Sequence, residues 1–226
     1  MKNIILFCAI LITSFSTRAQ KNITTDLEKF TELKAFDQIQ VTIIKSDKNQ
    51  VILTGEDISD VNIDNNKGLL KIKMDFENHM DGGDIKATLY YTENLVLLDA
   101  NENAKIFSEG TFKGKDVKIA AQEGGDIEMN VDIETLYVKS TSGSEIILKG
   151  TAKTQEVVAN AGGKAYNKDL STEQTKVTVN AGGTAEIKAS QKADAKVRAG
   201  GSITIYGNPK EVNKDKVFGG KIKVIE

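Results

Sequence analysis

Pairs of glycine recurring about every nineteen residues constrain this chain more than any other feature. Six Gly-Gly pairs occur: Gly82-Gly83, Gly124-Gly125, Gly162-Gly163, Gly182-Gly183, Gly200-Gly201 and Gly219-Gly220. They hold twelve of the nineteen glycines. With Gly143-Ser144 added, the second members fall at 125, 144, 163, 183, 201 and 220, in steps of 19, 19, 20, 18 and 19. A fixed period of this kind marks a repeat architecture.

The positions around the pairs agree column by column. Two residues after the second member stand Ile127, Ile146, Ala165, Ala185, Ile203 and Ile222; four after it stand Met129, Leu148, Asn167, Ile187, Ile205 and Val224. Six before it stand Ile119, Val138, Val157, Val177 and Ala195, and a degenerate earlier copy centres on Ala104. Apolar residues take the even offsets and polar ones mostly fill the gaps, which is the period of a strand with one buried face. Each unit therefore reads as strand, glycine corner, strand and polar link.

Nineteen residues are too few for a propeller blade of about 40. They suit one winding of a β-solenoid, in which coils stack about 4.8 Å apart and like residues lie over like. The corners Gly125, Gly143, Gly163, Gly183, Gly201 and Gly220 are expected to hold tight bends, where positive φ favours glycine. Val at Gly183 is accordingly expected to damage the fold. A polar column three residues before the second member, Asn101, Gln122, Thr141, Asn160, Asn180 and Arg198, suits either turns or a side-chain ladder between coils.

Residues 34–98 alternate apolar and polar without the even spacing. Strands are expected around Val41, Leu53, Ile63, Ile72 and Leu89, forming either irregular opening coils or hairpins over the first edge. Residues 20–33 read as an arm with at most a turn or two of helix. Nothing Pro- or Ser-rich divides the chain, so residues 34–226 read as one domain.

The first nineteen residues read as a cleaved secretory signal. Lys2 precedes the apolar run Ile4–Ile12, and Thr17-Arg18-Ala19 places small residues before a cut at Gln20. The run is too short for a membrane span, which needs about twenty apolar residues. Phe7 before Cys8 argues against a lipidation site. Loss of Lys2 and Arg18 leaves 28 basic against 32 acidic residues and no cysteine, so packing must hold the mature chain without disulfides. The expected location is periplasmic, cell-surface or extracellular.

Chemistry-bearing residues are sparse. His79 is the one histidine, in Asp75-Phe76-Glu77-Asn78-His79-Met80-Asp81-Gly82-Gly83-Asp84, whose carboxylates faintly suggest a calcium loop. Lys86 stands where such a loop needs an acid, so a solvated turn is the preferred reading. One cysteine, one histidine and no tryptophan leave no zinc set and no cysteine-histidine dyad. No cofactor, metal or catalytic residue is expected. Nucleic acid does not suit a net-negative chain whose mature part has Arg198 alone.

Phe36-Asp37-Gln38-Ile39-Gln40-Val41, Gly68-Leu69-Leu70-Lys71-Ile72 and the glycine corners resemble the putative auto-transporter adhesin, head GIN domain family. The stretch Ala199-Gly200-Gly201-Ser202-Ile203-Thr204-Ile205-Tyr206-Gly207-Asn208-Pro209 is its most specific part. The resemblance spans residues 34–224 and implies an exported protein with a right-handed β-helix-like fold and no catalytic motif. Together the readings give an all-β, right-handed β-helix-like solenoid with an irregular β N-terminal part. Its expected role is a non-catalytic envelope or surface protein that binds or adheres through a solenoid face. The partner would be an unidentified protein or glycan of the cell envelope. A carbohydrate-active β-helix enzyme and a purely structural envelope component are the alternatives.

Overall fold

A computed structural model describes residues 22–75 and 81–225. The expected signal segment with Cys8, and the central part of the candidate cation loop with His79, fall outside these residues.

Among the described residues sixteen strands build one continuous sheet that winds into a solenoid. The opening strands are short: β1 (Asn22–Asp26), β2 (Glu32–Ala35), β3 (Gln40–Lys45), β4 (Gln50–Thr54), β5 (Val61–Asn66), β6 (Leu69–Met74), β7 (Lys86–Tyr91) and β8 (Leu97–Ala100). Five long strands follow: β9 (Lys105–Ala121), β10 (Asp126–Thr141), β11 (Glu145–Asn160), β12 (Lys164–Asn180) and β13 (Thr184–Arg198). The chain closes with β14 (Ser202–Tyr206), β15 (Glu211–Val217) and β16 (Lys221–Val224). The only helical element among the described residues is a single 3-10 turn at Ile58–Asp60.

Stacking is parallel and in register. Ile106, Ile127, Ile146, Ala165, Ala185, Ile203 and Ile222 oppose one another in turn from β9 to β16. Across the core, Leu98, Ile119, Val138, Val157, Val177 and Ala195 make a second column. These side chains are nearly inaccessible, apart from half-buried Ile222 in the last coil. Burying each large aliphatic side chain is worth about 1.5–3 kcal/mol, so the core stabilises every coil through its neighbours.

Each long strand bends midway, and the bend shows in its burial. In β10, Ile127, Met129, Val131 and Ile133 are buried; two exposed residues, Glu134 and Thr135, then shift the phase so that Leu136, Val138 and Ser140 are buried. One unbroken strand thereby serves two walls.

The first half departs from chain order. β2 lies between β6 and β8, parallel to both, and β3 lies between β7 and β9. The coil formed by residues 32–45 is therefore sandwiched between two later ones. Antiparallel strands cover the outer edge: β4 on β7, β1 on β4 and β5 on β6. Residues 34–98 thus combine coils with edge-covering hairpins. The helical turn considered for the arm does not form; β1 and β2 occupy that stretch instead.

Candidate binding groove

The glycine corners have two demands, divided between adjacent residues. Ala181 and Gly182 both adopt left-handed φ, 46° and 78°. Gly183 does not, which corrects the reason expected for it. A Cβ on Gly183 would lie 2.6 Å from the Ala159 carbonyl oxygen of the coil below. Gly125 and Gly163 behave in the same way, meeting the carbonyls of Ala100 and Ser140 at 2.3 Å. At Gly143, Gly201 and Gly220 φ is positive, and a Cβ on Gly201 would in addition meet the Gly183 carbonyl oxygen at 2.5 Å.

The polar corner column forms ladder pairs, in two separate rungs. Gln122 Nε2 donates to Asn101 Oδ1, and Asn180 Nδ2 donates to Asn160 Oδ1 at 2.7 Å. Thr141 interrupts the series. Among the described residues the corners present no cluster of His, Cys, Asp or Glu placed to hold a metal ion.

A groove of about 830 Å³ follows the second bend, halfway round each coil from the corner. Its floor is one register column: Gly114, Ile133, Ala152, Thr172 and Ala189, continued by Gly207. Except for Ile133 the side chains there are small, which lowers the surface between two rims. Gly207 is needed for close approach, since a Cβ there would meet the Ala189 carbonyl oxygen at 2.6 Å. Thr172 is anchored within the floor. Its hydroxyl donates to the Lys188 carbonyl at 2.7 Å and lies 2.7 Å from the Thr175 hydroxyl.

The rims are polar and of mixed charge. One carries Lys113, Asp132, Thr151, Ser171 and Lys188; the other carries Lys115, Glu134, Lys153, Glu173 and Ser190. Asp132 is already engaged, 3.7 Å from Lys113 Nζ and accepting a hydrogen bond from Thr151 Oγ1 at 3.2 Å. Among the described residues no group of three or more His, Cys, Asp or Glu is placed to hold a metal ion. The sequence columns did not single out the groove, because its signal is only a small residue between two polar ones at each bend.

Elsewhere the outer surface is laced by ion pairs running up the stack. Lys149 meets Glu128 at 2.9 Å, Lys176 meets Glu156 at 2.9 Å and Lys164 meets Glu145 at 3.5 Å. Such exposed pairs are screened by water and add little to stability.

Several solved structures share this fold. A putative adhesin from Bacteroides fragilis NCTC 9343 superposes with a TM-score of 0.84 at 18% identity, over 92% of this chain and 98% of that one. A putative adhesin from Parabacteroides merdae ATCC 43184 gives 0.70 at 14% identity, over 93% and 98%. One from Parabacteroides distasonis ATCC 8503 gives 0.66 at 18% identity, over 92% and 97%. No curated protein matches. The family model described as putative auto-transporter adhesin, head GIN domain, matches residues 29–209, and the chain belongs to that family.

Proposed function

We propose that this chain is an exported, non-catalytic envelope or surface protein that binds an extended polymer, glycan or peptide, along its bend groove. The observation that carries the reading is the groove's shape. It runs across successive coils in one line, with a floor of small residues save Ile133 and a charged or hydroxyl-bearing side chain on each rim from Gly114 to Ala189. A repeating polymer can meet such a surface at several equivalent points, and modest contacts then add through multivalency. Family membership and the adhesin names of the structural neighbours support a surface role. The signal-like first nineteen residues support export.

The test is a glycan array together with immobilised envelope polysaccharides and peptides, probed with the mature chain from Gln20. Retention that disappears in Glu134→Lys/Glu173→Lys, with an unchanged melting point, is the expected result. Retention indifferent to both reversals would remove the groove from the account. Catalytic release of oligosaccharides, abolished by changing one carboxylate, would favour a carbohydrate-active enzyme instead.

A further inference from the structure

The last coil differs from all the others. Along one wall, Leu70, Leu33, Leu98, Ile119, Val138, Val157, Val177 and Ala195 stack in a single apolar column, and the next residue in register is Lys214. The neighbouring column passes from Val179 and Val197 to Lys216. Two lysines thus occupy register positions that belong to the core in the earlier coils. Inward-pointing charge at a sheet edge opposes the addition of a further strand.

Three more lysines, Lys210, Lys221 and Lys223, stand on the same coil. Its two described carboxylates are engaged from below, Glu211 by Lys192 at 3.0 Å and Asp215 by Lys196. Among the described residues, none of the five lysines has an ion pair. Among the described residues this end therefore carries five lysines against two carboxylates, on a chain whose overall balance is acidic.

Phe218 stands between Lys216 and Lys221 and is 89% exposed. It holds the left-handed corner position, φ 59°, that Ser142, Ala161, Ala181 and Ala199 fill in earlier coils. A bulky side chain is costly in that conformation, and a fully hydrated phenyl ring gains nothing from its own fold. Ile225, 43% exposed, adds apolar surface on the same coil.

We infer that this basic end, with Phe218 projecting from it, docks on the surface of an anionic lipid bilayer. Lysines near such a surface each strengthen binding about fivefold, and an aromatic ring inserts at the headgroup boundary. A second copy of the chain suits the end less well, because an end-to-end contact would oppose Lys214, Lys216, Lys221 and Lys223 to themselves. The inference goes beyond the groove reading and does not depend on it.

The test uses the mature chain from Gln20 with phosphatidylcholine vesicles, with and without phosphatidylglycerol, at low and high salt. Co-sedimentation is expected with phosphatidylglycerol only, and it should be lost at high salt. Lys221→Gln/Lys223→Gln should weaken binding about 25-fold. Phe218→Ser should weaken it about tenfold while leaving the melting point unchanged or raised. Failure to bind the anionic vesicles would overturn the proposal, as would binding indifferent to both variants. Lipid-free self-association that the same variants abolish would reassign the surface to contact between copies.

Discussion

Ser140 and Ser144 share a hydrogen bond, Oγ to Oγ at 2.8 Å, inside the one corner where serine replaces the second glycine. Both residues are fully buried. At the equivalent place in neighbouring coils a Cβ would press on the carbonyl of the coil below. Here the Ser144 hydroxyl donates to that carbonyl, Ala121 O, at 2.8 Å and accepts from the Thr141 amide at 2.9 Å. Ser140 Oγ also lies 2.9 Å from the Ser144 carbonyl and accepts from the Lys164 amide at 2.8 Å. A potential clash has become a satisfied buried network.

Ser144→Ala should therefore destabilise by about 2 kcal/mol, since it keeps the crowded Cβ and strips the Thr141 amide of its acceptor. Ser140→Ala should cost less, about 1 kcal/mol, because the Lys164 amide also reaches the Ser144 carbonyl at 2.9 Å. Urea melts of the two variants and of their combination check this. Touching residues should show a coupling of at least about 0.5 kcal/mol. Additive losses would show that the two hydroxyls act independently.

The division of labour at the corner gives a sharper contrast. Gly182 is left-handed with nothing within 4 Å of a built Cβ, whereas Gly183 would drive its Cβ to 2.6 Å from Ala159 O and 2.9 Å from Ala159 C. Gly182→Ala should cost about 1 kcal/mol, the conformational penalty alone. Gly183→Ala should cost about 3 kcal/mol, because backbone rather than a flexible side chain must move. For a chain of this size that separates the melting points by roughly 4–8 °C. Equal melting points would refute the division.

The nineteen-residue columns were legible because each inward position repeats at the same register, and stacking makes that repetition physical. Ile127 and Ile146 could be placed over one another from spacing alone, and they are Cα partners. The interleaving of β2 between β6 and β8 was not legible. Those strands carry ordinary alternation, which fixes the buried face and leaves the choice of neighbour open. Asn167 shows a different limit. It sits in a column of Leu148 and Ile187, yet its Nδ2 donates to Gln155 Oε1 at 3.2 Å, and Gln155 Nε2 donates to Thr175 Oγ1 at 3.1 Å. A side-chain chain of that kind spans two coils, and its members carry no local mark. The groove was missed because a small residue at a bend reads first as a packing requirement.

Tyr91 makes stability depend on pH in the alkaline range. Its side chain is buried against Phe112, with ring centroids 6.4 Å apart, and burial pushes the phenol up to about 12. An unfolded tyrosine ionises near 10. Below that pH both states keep the proton and the group does not affect folding. Between about 10 and 12 the unfolded chain releases it while the folded chain retains it, so stability falls as pH rises. With the folded value at about 12 and the unfolded one near 10, the loss over that interval is at most about 2–3 kcal/mol. Tyr91→Phe keeps the ring packing and removes the ionisable group. Its unfolding midpoint, followed from pH 9 to 12 beside that of the parent chain, should decline less steeply by that amount. Parallel declines would assign the alkaline loss to other groups, such as the lysines of the surface ion pairs.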